Sequence, residues 1–315
     1  MVQRVKNMNG LEEKMLMSEA AILYYENHLT QQEIADMMKL SRQTVSKLLN
    51  DALKENVVEI RIHNPQKDCE ALQKEIEKQF GIRKSVVTCV SSKNEYLRKT
   101  VTVSAASEYL TGIVKKGNLK IALSWGRTIQ SLIETMPQLS TIGNVVFPLF
   151  GATDNENSYF SSNELARSLA DKIGADVKYA WFPYLADSDE DCRLIKTISY
   201  YKKIEDLWNR ADIAIMGIGN TEILEVFGKS FGYNDKYADV IGDVATHFFN
   251  KNGEFINLYE NSICASVENI RKSKERVAVA CGDHKVEAII GALKSGMIDT
   301  LITDEYTARA IVRDV

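Results

Sequence analysis

Leu29 to Leu49 reads LTQQEIADMMKLSRQTVSKLL, and the spacing within it decides the fold of the first part of the chain. Thr30 precedes a short apolar-periodic segment, and Glu33 stands three residues later. At that spacing the two side chains satisfy each other's backbone N–H groups at a helix start. A helix is therefore expected over 31–38. Ser41 is placed to cap the next helix, whose Val45, Leu48, Leu49, Ala52 and Leu53 follow i, i+3, i+4, i+7 and i+8 and bury one face. Ala35 supplies the small residue needed where two such helices approach. Lys39, four positions on, stands where the turn often carries glycine because φ is positive there, at a cost of ~1 kcal/mol for a side chain. Two capped helices joined by such a turn form a helix-turn-helix, whose second helix enters the major groove of DNA.

With Val45 and Leu48 turned inward, the outer face of that second helix carries Arg42, Gln43, Ser46, Lys47 and Asn50 beside the first-turn hydroxyls of Ser41 and Thr44. Arginine pairs with guanine, Gln and Asn with adenine, and Ser and Lys hold phosphates, so these seven are the candidate DNA contacts. The whole chain has a net charge of −4, but residues 39 to 47 contain Lys39, Arg42 and Lys47 and no acid. Positive charge is thus local to the helix that needs it. The bland alternative is a packed helical subdomain with a merely solvated polar face. Upstream, residues 11 to 27 read as one amphipathic helix; downstream, the β-branched stretch from Val57 to Ile62 reads as a strand of a wing.

Asn64-Pro65 is a turn signal, and it divides the chain into 1–64, a winged helix-turn-helix, and 65–315, a larger domain. A connecting helix is expected over 67–80. Beyond it, short apolar segments (85–90, 119–124, 144–150, 213–217, 277–280, 300–303) alternate with helical patterns, which implies an α/β fold with a mostly parallel sheet covered on both faces. No apolar run reaches the ~18 residues needed to span a bilayer and no signal peptide is visible, so a cytoplasmic protein is expected. The five cysteines are odd in number, scattered and without a C-x-x-C pair, and are read as reduced core residues. Four scattered histidines suggest no metal site, and no cofactor motif is present.

Parallel sheets bind ligands at the carboxyl ends of their strands. There the sequence places Ser124-Trp125-Gly126-Arg127-Thr128, hydroxyls and a glycine opening a helix, with a guanidinium to add a charge-assisted bond: a pattern suited to phosphate. Phe150-Gly151-Ala152-Thr153, followed by Asn163-Glu164 at a helix start, and Gly282-Asp283-His284-Lys285 stand at two other strand ends, and Gly217-Ile218-Gly219 and Gly242-Asp243 add glycine turns. Each glycine alone is equally explained by a tight turn.

The segments LTQQEIADMMKLSRQTVSKLL (29–49), ALSWGRT (122–128), NELARSLADKIGA (163–175), IMGIG (215–219), IGDV with HFFNKNG (241–253) and GDHKVEAIIGALKSGMIDTLITDEYTARAI (282–311) resemble the SorC-type family of sugar-responsive bacterial transcriptional regulators. The resemblance implies a C-terminal Rossmann-like effector domain similar to phosphosugar isomerases, homodimers or homotetramers, and operator DNA binding controlled by a phosphorylated sugar. By matching position, Ser124, Gly126, Arg127, Thr128 and Lys285 would hold the phosphate, and Gly151, Ala152, Asn163, Glu164 and Asp243 would line the sugar end. The chain departs from the family at Phe150, where a Schiff-base lysine could stand, at Ala152, where a second glycine is usual, and at Asn250, where the usual residue is aspartate.

Two other functions compete. A sugar-phosphate isomerase or deaminase needs a general acid and base, for which Asp243 and His284 are the candidates, yet neither stands in an identifiable catalytic pair. A ligand-independent DNA-binding oligomer would have no use for the phosphate-suited loops. A switch is the expectation that uses both halves of the chain.

Overall fold

In the computed structural model, which describes residues 10–60, 69–153, 161–231 and 235–314, the first helix, α1 (Gly10–Ala21), runs into a π turn over Ile22–Glu26. There Asn27 N–H reaches back to the Ile22 carbonyl at 3.1 Å, so the single helix expected over 11–27 ends in a widened turn. The capping box closes as its spacing requires: Glu33 N–H donates to Thr30 Oγ1 at 3.3 Å and Thr30 N–H to Glu33 Oε2 at 2.8 Å, starting α2 (Gln31–Met38). Lys39 ends α2 in the left-handed region at φ 55°. Ser41 Oγ accepts from Thr44 N–H at 3.0 Å and starts α3 (Arg42–Lys54). Met17, Ala20, Ile34, Ala35, Val45, Leu48, Leu49 and Ala52 form the core of this unit. Residues 57–60 of the expected wing strand carry no strand, and 61 and 62 lie outside the described residues.

The chain divides into two compact units, Met1–Pro65 and Gln66–Val315. The second begins with α4 (Glu70–Phe80) and β1 (Lys84–Thr88), then α5 (Glu95–Val114), β2 (Lys120–Leu123), α6 (Arg127–Thr135), β3 (Val145–Pro148), α7 (Ser162–Ile173) and β4 (Asp176–Val177). Residues 67 and 68 of the expected connecting helix lie outside the described residues. Next come α8 (Asp189–Thr197), α9 (Ser199–Asn209), β5 (Ile213–Asn220), α10 (Glu222–Phe231) and three short strands, β6 (Gly242–Val244), β7 (His247–Phe249) and β8 (Phe255–Ile256). The chain closes with α11 (Val267–Arg271), β9 (Glu275–Val279), α12 (Val286–Lys294), β10 (Thr300–Asp304) and α13 (Glu305–Arg313).

Seven strands lie in the order β1-β10-β9-β5-β2-β3-β4, every neighbouring pair parallel. Strands β2, β3 and β4 step outward to one side, and β5 then returns to the other flank of β2. The strand order reverses between β2 and β5, and the crevice outside their carboxyl ends is where open α/β sheets hold ligands. An antiparallel ribbon, β6–β7–β8, extends from the end of β5. It was not expected, and it corrects the reading of Gly242-Asp243 as a turn: both residues lie within β6.

One expectation about the cysteines is overturned. Cys69 and Cys89 are joined as a disulfide, while Cys192, Cys264 and Cys281 are free. The fold brings the start of α4 to the end of β1, a proximity that spacing along the chain does not reveal.

Candidate functional site

On α3 the buried residues Val45, Leu48, Leu49 and Ala52 hold the helix by one face, leaving Arg42, Gln43, Lys47 and Asn50 exposed on the other and Ser46 half-buried. Ser41 and Thr44 are occupied with each other: their hydroxyls are 2.7 Å apart and Ser41 caps the helix. Their role is to fix the start of α3, and four polar side chains stand exposed on its outer face.

In the second unit a cavity of about 380 Å³ opens at the reversal between β2 and β5. That volume suits a small metabolite. The loop after β2 supplies Ser124, Gly126, Arg127 and Thr128, the end of β5 supplies Gly217 to Asn220, and the start of α12 supplies His284 and Lys285. Gly126 has φ 116°, a backbone conformation that favours glycine, and α6 starts directly behind it without a side-chain cap. The start of that helix, Gly126 to Thr128, thus lines the cavity with no capping side chain on it, and helix starts of this kind suit anions.

Lys285 Nζ donates to the Ile218 carbonyl at 2.7 Å. Burial pulls this amine below the usual lysine range, opposed by the attraction of Asp243 and Cys281, while the like charge of Lys99 acts with burial. Asp243, 4% exposed on β6, reaches the same cavity because Gly219 opposite it has no Cβ, and a Cβ there would overlap Asp243 Oδ1. Burial pushes its carboxyl up to about 6, against the Thr246 N–H donated to it at 3.1 Å and the charge of Lys285. At the rim, His284 Nδ1 and Glu95 Oε1 are 2.7 Å apart.

Six of the ten residues expected at the effector, namely Ser124, Gly126, Arg127, Thr128, Asp243 and Lys285, thus line one cavity. The other four are placed elsewhere. Gly151 lies against the backbone of Phe182 and Pro183, where no side chain fits, and Ala152 pairs with that same segment through its N–H and carbonyl. Asn163 uses its amide to bind both the N–H and the carbonyl of Ala180. Glu164 is exposed and paired with Arg167. They build the floor and flank of the β3 end. In their place stand Glu95, Tyr96 and Lys99 from the first turns of α5, which sequence reasoning missed, beside Trp125 and Cys281 from the strand ends. Only strand order brings α5 there.

Residues 64–313 match the family described as "Putative sugar-binding domain", and residues 19–55 match sigma-70 region 4. The sorbitol operon regulator of Klebsiella pneumoniae is 26% identical, with 97% of this chain and all of that protein covered. Its full-length crystal structure superposes with a TM-score of 0.70, covering 96% of this chain and 99% of that one. The deoxyribonucleoside regulator of Bacillus subtilis is 28% identical over 96% of this chain and 99% of its own length. A helix-turn-helix followed by a sugar-binding domain, alike in sequence and in fold over nearly the whole length, means that the chain belongs to the SorC-type family of sugar-binding transcriptional regulators.

Proposed function

We propose that the protein regulates transcription of a carbohydrate-metabolism operon and that a phosphorylated sugar bound in the cavity between β2 and β5 controls its hold on operator DNA. One observation carries the anionic effector: the uncapped start of α6 and the half-buried amine of Lys285 meet in a single cavity, with the like charge of Lys99 acting on that amine. An anion there would satisfy the helix N–H groups and relieve the repulsion between the amines. Ser124, Gly126, Arg127, Thr128 and Lys285 would hold the phosphate, and Asp243 would face the rest of the sugar. Gly151, Ala152, Asn163 and Glu164 act in this reading as the support of the neighbouring strand end.

Arg42, Gln43, Lys47 and Asn50 would read DNA. One helix with so few cations binds weakly, so useful affinity calls for a homodimer or homotetramer formed in the cytoplasm. An effector must bind the DNA-competent and incompetent arrangements of that assembly with different affinities, because equal binding shifts nothing. The relatives named above are regulators, and the same role is assigned here in preference to catalysis.

The experiment is a thermal-shift screen of sugar phosphates, free sugars and inorganic phosphate against the wild type and Lys285→Ala. Ligands that bind the folded state raise its apparent stability by mass action. Sugar phosphates are expected to raise the wild-type Tm, free sugars to do little, and Lys285→Ala to lose the response while still binding an operator selected from random DNA. Equal responses to sugars with and without phosphate, or an unchanged response in the variant, would sink the phosphate assignment, and turnover of a bound sugar phosphate would sink the regulatory one.

A further inference from the structure

Helix α4 lies along the outer edge of β1, the edge strand of the sheet, in a register that pairs every fourth helix residue with every second strand residue. Glu77 accepts from Ser85 N–H at 2.7 Å and Gln73 Oε1 accepts from Val87 N–H at 3.0 Å, so two edge groups that a neighbouring strand would satisfy are satisfied by the helix. Ser85 Oγ returns a bond to the Gln73 carbonyl at 3.0 Å. One more step in the same register, four residues back on α4 and two forward on β1, brings Cys69 opposite Cys89. Their Cα atoms are 6.5 Å apart, within disulfide reach, and the two sulfurs are bonded.

We propose that Cys69 and Cys89 are a reversible thiol–disulfide site, a covalent third rung whose formation pins the start of α4 to β1. The surroundings favour exchange over permanence. Cys89 is half-buried and open to a small reagent, whereas Cys69 is buried at the start of α4, where helix N-termini favour thiolate. The Glu305 carboxylate lies within 4.8 Å of both sulfurs. The oxidant is a low-molecular-weight disulfide. Cys89 thiolate attacks glutathione disulfide, forming a mixed disulfide and expelling one glutathione thiolate; Cys69 thiolate then attacks the Cys89 sulfur and expels the second. Two protons pass from the protein thiols to the two glutathiones, and two electrons leave the protein. The rung sits at the start of α4, so oxidation would stiffen the first turn of that helix against β1 independently of any effector.

The full-length protein is equilibrated in graded ratios of reduced to oxidised glutathione, acid-quenched, alkylated and digested for mass spectrometry, and hydrogen exchange of the 70–80 peptide is followed at both extremes. The expected result is a Cys69–Cys89 cross-linked peptide that appears and disappears reversibly across the series, with exchange of the first turn of α4 at least threefold slower when oxidised. Cys89→Ser is expected to match the reduced protein in exchange at every ratio, and the wild-type titration stands without it. Failure to form or reverse the cross-link overturns the proposal, as does bonding to Cys192, Cys264 or Cys281 instead. Exchange that ignores oxidation state overturns it too. So does one equivalent of zinc retained by the reduced protein and lost on alkylation, which would make Cys69, Cys89 and Glu305 a metal site.

Discussion

Lys285 and Asp243 reach one cavity from different directions: the amine opens α12 and is tied to the Ile218 carbonyl at 2.7 Å, while the carboxylate rises from β6. Burial disfavours the charge on both, lowering the lysine and raising the aspartate. The pair is therefore poised to respond to charge entering the cavity, and an anion bound there as proposed would strengthen the lysine charge and weaken that of the aspartate.

That poise has a pH signature. Burial pushes the Asp243 carboxyl up to about 6 in the folded state, above the usual aspartate value of about 3.9, so folding favours its protonated form. The stabilisation is complete below about pH 4 and is lost as pH rises through 6, amounting to about 3 kcal/mol at ~1.4 kcal/mol per pH unit. Asp243→Asn keeps an acceptor for Thr246 N–H and removes the titration. Urea unfolding of both proteins from pH 4.5 to 7.5 should show the variant gaining on the wild type as pH rises. A difference that stays constant with pH would refute the assignment.

The parts legible in the sequence are those whose signal is local. The α3 face follows from an apolar period, and the caps at Thr30 and Ser41 follow from side chains three residues apart, all within one stretch of chain. The parallel strands show as short apolar runs, and Gly126 and Lys285 as residues opening helices at their ends. What stayed hidden depends on distant register. Lys99 reaches the cavity only because strand order brings α5 there, and Cys69 meets Cys89 only through the packing of α4 along β1. The ribbon β6–β8 has strands of two or three residues, too short to display alternation. Asn163 is expected at the sugar end by its matching position in the family resemblance; its bonds to Ala180 are a structural use that sequence cannot distinguish.

Lys39 holds φ 55° at the turn between α2 and α3. A left-handed side chain costs about 1 kcal/mol or a little more, and glycine gives back part of that through the freedom it adds to the unfolded chain. Lys39→Gly should therefore stabilise the first unit by about 0.5 kcal/mol, read as a higher denaturation midpoint with unchanged slope. Destabilisation would mean that the lysine stem makes packing contacts worth more than the strain.

On the outer face of α3, Gln43 and Lys47 are both exposed but should fail differently. Gln43→Ala removes a group able to bond a base edge, costing about 1–3 kcal/mol at one operator position and relaxing preference there. Lys47→Ala removes a phosphate contact, weakening binding to all sequences and reducing the salt slope by about 1 per helix engaged. Titrations against operator and scrambled DNA at several salt concentrations separate the two. If neither change alters affinity or slope, α3 does not face DNA.

Arg98, in the first turn of α5, is a buried cation at the carboxyl end of β10. Its Nε donates to Asp304 Oδ1 at 2.8 Å and a terminal nitrogen to Thr307 Oγ1 at 2.9 Å, with the other terminal nitrogen 2.8 Å from Asp283. Asp304 is wholly buried and also accepts the N–H groups of Tyr306 and Thr307, so its charge starts α13. Arg98→Met leaves that carboxylate without its counter-charge in a buried site, a loss of about 3–5 kcal/mol. Asp304→Asn in the same background removes the stranded charge while keeping an acceptor for α13, and should restore a good part of the loss. Urea denaturation of the single and double variants measures the coupling directly. A loss below about 1 kcal/mol for Arg98→Met, or no recovery in the double variant, would show that the ion pair does not hold α5 to the start of α13.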